Sequence, residues 1–262
     1  MTVRFLRTMK PLAGIFVIGA FAACSGDVTS ANLHPMKVSF MSNVSGTTAS
    51  AGSNVAVDPA GDLVLTKVQV VMDKVELNEG ESTSCVSEIE SGGDDHGETG
   101  MECEDVSRNP VLVDIPVDAT LKTVLNVPVP AGTYSKLEAK LEPARDDATA
   151  FNAANTNFVG KSVRVEGTYK GTPFVFTSAV RAGLEMSFNP PLVVDATSTN
   201  ATVSIDLTKW FLDSAGNAID PTTATSGSDA LRTIEDNIKR SFHAFEDDNE
   251  SGRDDHGEGG HD

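Results

Sequence analysis

"KSVRVEGTYKGTPFVFTSAV", residues 161–180, decides the architecture. Val163, Val165 and Tyr169 fall on one face of an alternating pattern, Lys170-Gly171 sits at a tight turn, and Phe174 and Phe176 return on the same period of two. Alternation broken by a glycine-bearing pair is the mark of a β-hairpin with one buried and one solvated face. The pattern continues downstream. "GLEMSFNPPLVV" (183–194) alternates Leu184, Met186 and Phe188 with polar residues, and "NATVSIDLTKWF" (200–211) puts Val203, Ile205 and Leu207 opposite Thr202, Ser204, Asp206 and Thr208. Trp210, Tyr134 and Tyr169 lie within these patterns and are expected in or against the core.

Upstream, "MKVSF" (36–40) is strand-like and is followed by the loop-forming "SNVSGTTASAGSN" (42–54). The long β-branched run "LVLTKVQVVMDKVEL" (63–77) changes phase at Val70 and Val71, where Val64, Val68 and Val70 give way to Val71, Val75 and Leu77. Such a change predicts a β-bulge or a bend between sheets. Further strands are predicted in "PVLVDIPV" (110–117), "LKTVLNVPV" (121–129) and, after a Pro-Ala-Gly turn, "PAGTYSKLEAKLE" (130–142). Seven to nine strands with short turns and no intervening helices predict an antiparallel β-sandwich. Near the end the period becomes helical: Leu231, Ile234, Ile238, Phe242 and Phe245 recur every three or four residues, with Ser228 or Asp229 as the cap. The fold class expected is mainly β, an antiparallel sandwich closed by one C-terminal amphipathic helix. The organisation expected is residues 1–23 as a signal peptide, 24–35 as a tether, 36–215 as the sandwich, 216–245 as linker and helix, and 246–262 as an acidic tail.

The first residues set the compartment. Arg4, Arg7 and Lys10 precede "PLAGIFVIGAFAA" (11–23), an apolar run too short to span a bilayer and suited to a secretory signal. Phe21, Ala22 and Ala23 before Cys24 resemble the lipobox of bacterial lipoproteins. That resemblance implies cleavage before Cys24, acylation of its thiol and, with Ser25 following, an outer-membrane address in the cell envelope. Several acyl chains, each methylene contributing about 0.8 kcal/mol, hold a protein on a membrane. The formal charge is −18, and loss of Arg4, Arg7 and Lys10 makes it three units more negative. A field of that sign excludes nucleic acid and favours cations or a basic protein partner. In an oxidising compartment the remaining Cys85 and Cys103 are expected to pair as a disulfide, contributing about 3 kcal/mol in the chain-entropy model. The competing assignment makes Cys85, His96 and Cys103 ligands of a soft metal.

An acidic phrase occurs twice, "SGGDDHGETG" at 91–100 and "SGRDDHGEGG" at 251–260, with eight of ten positions identical. In the second copy, counting from Asp247, oxygen-bearing side chains fall at loop positions 1, 3, 5, 9 and 12: Asp247, Asn249, Ser251, Asp255 and Glu258, with Gly252 at position 6. That is the spacing of an EF-hand calcium loop, in which alternate oxygens converge on the ion and the glycine permits a sharp turn. Asp254 stands where an apolar residue is usual and no helix follows, so calcium binding is expected to be weak, with a Kd on the order of 10⁻⁴ to 10⁻³ M. The first copy lacks the pattern at Ser87 and Ile89. His96, His256 and His261 suit zinc, nickel or copper instead, which makes a transition-metal-binding periplasmic lipoprotein the alternative. A third reading leaves both copies solvated, kept from the core by their charge.

No HExxH, GxSxG, P-loop, dinucleotide fingerprint or paired carboxylates beside a strand histidine occurs, so an enzyme is not expected. His34 falls in the expected tether and His243 on the surface of the expected helix. A glycan-binding surface module is the remaining alternative, though the few aromatics fall in core patterns.

"VLVDIPVDATLKTVLNVPVPAGTYSKLEAKLEP" (111–143) resembles the bacterial lipoprotein family catalogued as domain of unknown function 4382, in which a strand is followed by a "PAGTY" turn and an alternating strand. "VRVEGTYKGTPFVFTS", "PPLVVD", "DLTKWF" and "EDNIKRSFHAFEDD" extend the similarity over residues 36–250, while the family's usual Thr-Asp-Ala-Pro opening is absent. The resemblance implies a cell-envelope β-sandwich and brings no catalytic residues.

Overall fold

The computed structural model describes residues 33–43, 61–79, 109–196 and 199–255, and the backbone of 55–56 and 103–107. The expected signal peptide, Cys24, Cys85, His96, His256, Glu258 and His261 lie outside the described residues. So does the first acidic phrase.

Two sheets enclose one core. The first has the order β12-β11-β1-β6, built from β1 (Leu33–Asn43), β6 (Lys122–Pro130), β11 (Thr199–Asp206) and β12 (Phe242–Glu246). The second is organised around β3 (Leu63–Asn78), a 16-residue strand. It pairs antiparallel with the short β2 (Val55–Ala56), β4 (Cys103–Ser107) and β5 (Val111–Ile115), and with β7 (Gly132–Leu141) and β8 (Val163–Tyr169). β9 (Thr172–Ser178) then pairs with β8, and β10 (Ala182–Val194) with β7. Met36, Val38, Phe40, Ala201, Val203 and Ile205 of the first sheet meet Leu63, Val165, Phe176, Leu184 and Met186 of the second in a single buried cluster. At about 25 cal/mol per Å² of apolar area removed from water, this burial is the main stabilising contribution.

The hairpin at 161–180 is as read. Lys170 (φ 49°) and Gly171 (φ 78°) are both left-handed, which matches the twist of the flanking strands. Val163, Val165, Phe174 and Phe176 point into the core. The phase change in β3 is also real, but its position is corrected. Inward residues run Leu63, Leu65, then Val68, Val70, Met72, then Val75, Leu77, switching parity at the register shifts between Leu65 and Lys67 and between Asp73 and Val75. Lys74 at the second shift has φ 53°. Val70 and Val71 are both buried for another reason: residues 142–162, carrying the short helix α1 (Thr149–Ala154), cover the outer face, where Val71 packs with Ala144 and Phe158.

Three further expectations change. The sandwich is antiparallel except that β1 and β11 pair in parallel, from Met36 opposite Thr199 to Asn43 opposite Asp206. β1 begins at Leu33, inside the segment expected as the tether, so His34 is in a strand. The C-terminal helix α2 (Asp229–Lys239) starts where expected, Ser228 Oγ accepting from Leu231 N at 3.1 Å, but stops before Phe242. Ser241 ends it: its Oγ donates to Ile238 O at 2.8 Å and accepts from Trp210 Nε1 at 2.8 Å. Phe242 and Ala244 then enter the core from β12, placing exposed His243 on a strand.

Candidate functional site

β1 and β11 run in register, so their residues divide strictly between two faces. Met36, Val38 and Phe40 opposite Thr199, Ala201 and Val203 face the core; Lys37, Ser39 and Met41 opposite Asn200, Thr202 and Ser204 face outward. An outward polar face is ordinarily wet. Here Ser39, Asn200 and Thr202 are wholly buried or nearly so, because residues 247–255 fold back over them.

The connection begins at β12, whose pairing with β11 delivers Asp247 beside Asn200. Asp247 N donates to Asn200 O at 2.9 Å, and Asn200 Nδ2 returns a bond to Asp247 O at 2.9 Å. The Asp247 carboxylate is fully buried. It accepts from Thr202 Oγ1 at 2.9 Å, Ser251 N at 2.7 Å and Gly252 N at 2.9 Å. Thr202 Oγ1 also accepts from Asn200 Nδ2 at 3.0 Å, and Ser39 Oγ donates to Asn200 Oδ1 at 2.8 Å. A buried carboxylate is tolerated when donors of this kind replace its water.

Around that anchor the loop turns tightly. Glu250 (φ 55°) and Gly252 (φ 75°) are left-handed, the glycine at the sixth loop position as the sequence requires. A Cβ on Gly252 would lie 3.2 Å from Met41 Sδ, so the turn rests on the outer face of β1. Asn249 Oδ1 accepts from Ser251 N at 2.9 Å. Asp255 closes the loop, its carboxylate accepting from Asp248 N and Asn249 Nδ2, both at 2.6 Å. Asp248 Oδ1 accepts from Asn200 N at 3.0 Å, and Lys37 pairs with Glu250 at the rim.

The fold therefore brings together Asp247, Asn249, Ser251 and Asp255, four of the five residues chosen for calcium. The side-chain oxygens of Asp247, Asn249 and Asp255 accept from donors of the loop itself and of β11, Ser251 Oγ is a donor toward Asp247 Oδ1 at 3.5 Å, and among the described residues no three His, Cys, Asp or Glu side chains gather as a metal cluster. Carboxylate oxygens carry two lone pairs each, so internal bonding of this kind is compatible with an ion on the remaining ones. The fully solvated reading is corrected for residues 247–255: Asp247 is core-like and the segment is tied to two strands. Sequence reading missed Asn200, Thr202 and Ser39. The usable signal was two adjacent strands with small polar side chains at matching outward positions, which predicts a lid only once their register is known.

No protein-family model, no curated protein and no solved structure matches this chain.

Proposed function

We propose that the chain is a non-enzymatic, lipid-anchored cell-envelope β-sandwich whose C-terminal acidic loop binds calcium weakly. The observation that supports it is the winding of residues 247–255 about the buried Asp247 carboxylate. That places positions 1, 3, 5 and 9 of the calcium spacing in one turn, with the glycine left-handed at position 6. Asp247 holds the turn against β11, and Glu258, outside the described residues, falls at the twelfth loop position, that of the bidentate ligand in the calcium spacing. The lipobox-like residues before Cys24 and the strongly negative formal charge, −18 before any cleavage, support a protein held at a membrane where divalent cations are plentiful.

Thermal melting with calcium, zinc or EDTA tests this, on the wild-type chain and on Glu258→Gln. Calcium at twenty times its Kd should stabilise the native state by about 2 kcal/mol, raising Tm by about 4–8 °C. Glu258→Gln should abolish that shift. No calcium response, an equal response in the variant, or a response to zinc alone sinks the proposal. Cys24→Ser should release the chain from the membrane fraction.

A further inference from the structure

In a chain with 38 acidic and 20 basic residues, a cleft lined by three cations and one acid stands apart. It lies between α2 and the link joining β9 to β10, with a volume of about 510 Å³. Lys161 comes from the segment before β8, Arg181 from the β9–β10 link and Lys239 from the last turn of α2. Lys161 and Arg181 flank the open end of the β8–β9 hairpin, and the packing of α2 brings Lys239 to them; a run of charge along one solvated element does not explain the convergence.

The acid is already engaged. Glu235 Oε1 accepts from Ser178 Oγ at 2.5 Å, and the same Ser178 Oγ accepts from Val180 N at 2.9 Å. Ser162 Oγ donates to Val180 O at 2.6 Å, so the wall carrying Arg181 is fixed. Arg181 Nη1 meets Glu142 at 2.5 Å, leaving further N–H donors of its planar fork. Lys239 touches Asp236 at 3.2 Å in an exposed pair that water and salt screen. Lys161 has no ion pair among the described residues. Val180 is turned into the core, and the apolar part of the lining comes from Ala179, Ala224 and Leu231.

We propose that this cleft is a binding site for a small organic anion, its carboxylate or phosphate group held by Lys161, Arg181 and Lys239 and its apolar body against Ala224 and Leu231. Clustered cations in a concave site focus the field on an anion and raise its local concentration. The volume exceeds what a bare oxyanion fills and lies in the range of small-molecule sites. The site is separate from the calcium loop and does not depend on it.

The test is a ¹H–¹⁵N titration of the intact chain with three probes: phenyl phosphate, inorganic phosphate and succinate. Phenyl phosphate should give one saturable transition confined to Lys161, the backbone of 178–181 and the face of α2 that carries Leu231, Glu235 and Lys239, tighter than inorganic phosphate. Succinate reports whether carboxylate serves as well as phosphate. The double variant Lys161→Ala, Arg181→Ala should weaken binding about tenfold or more, and Lys161→Arg with Arg181→Lys should recover most of it. Non-saturating shifts with all three probes, or unchanged affinity in the alanine variant, overturn the proposal.

Discussion

Asp247→Ala is the perturbation whose cost the structure defines best. The substitution removes one fully buried carboxylate: Gly252 N loses its acceptor at 2.9 Å, and Ser251 N loses the nearer of two, at 2.7 Å, keeping Asn249 Oδ1 at 2.9 Å. Thr202 Oγ1 loses its acceptor at 2.9 Å but keeps its bond from Asn200 Nδ2. A donor stranded away from water costs about 1–3 kcal/mol, and bonds to a charged acceptor lie at the upper end. The loop can partly rehydrate on release, so the three donors together amount to about 3–4 kcal/mol rather than their full sum. For a domain of this size that corresponds to about 6–16 °C in Tm. Urea unfolding followed by circular dichroism in EDTA isolates this structural contribution from any ion. A loss below about 0.5 kcal/mol, the range of ordinary surface substitutions, would refute the reasoning and mean that the loop does not hold its place on β11.

Two other substitutions probe the frame. Gly167→Ala in β8 places a methyl group 2.2 Å from Val64 O on the paired strand and 3.0 Å from Phe174 Cε1; a backbone carbonyl yields little, so denaturant unfolding should show a loss of about 2 kcal/mol or more, and a neutral result would contradict the strand register there. Asp73, nearly buried in β3, has its carboxyl pushed above the usual carboxylate range, first by burial, with Arg145 opposing and Glu142 adding to the shift. The folded state then holds that proton to higher pH than the unfolded chain. This contribution therefore falls as pH rises from the ordinary carboxylate value through the folded one. Asp73→Asn should be at least as stable as wild type at neutral pH, with the difference vanishing in acid; a variant clearly less stable at pH 7 would show that the Arg145 pair at 3.7 Å outweighs burial.

The inward faces of β8, β9 and β10 were legible because each buries one side, and that of β11 because its outward face, though covered, is polar; a period of two survives in sequence in either case. The end of α2 was not. Ile238 and Phe242 are four apart, which suits a helix, while Phe242 and Ala244 are two apart, which suits a strand. The decision falls to Ser241, whose local bond to Ile238 O is joined by a tertiary one from Trp210 Nε1. The parallel pairing of β1 with β11 joins segments some 160 residues apart, and no local pattern encodes it. Of the candidate site, the spacing of Asp247, Asn249, Ser251 and Asp255 was readable, and so was the need for Gly252. The burial of Asp247 was not, because acidic residues ordinarily signal solvent and its partners, Asn200 and Thr202, sit on what alternation marks as an outer face.

The acidic C-terminal segment, residues 247–255, is part of the folded domain. Native-state hydrogen exchange at the backbone amides of Asp247, Ser251 and Gly252, measured in EDTA, tests it most directly. Strong protection at all three, approaching that of β11, is the predicted result. Exchange at the rate of an unstructured peptide would show the segment to be solvated and would contradict the account.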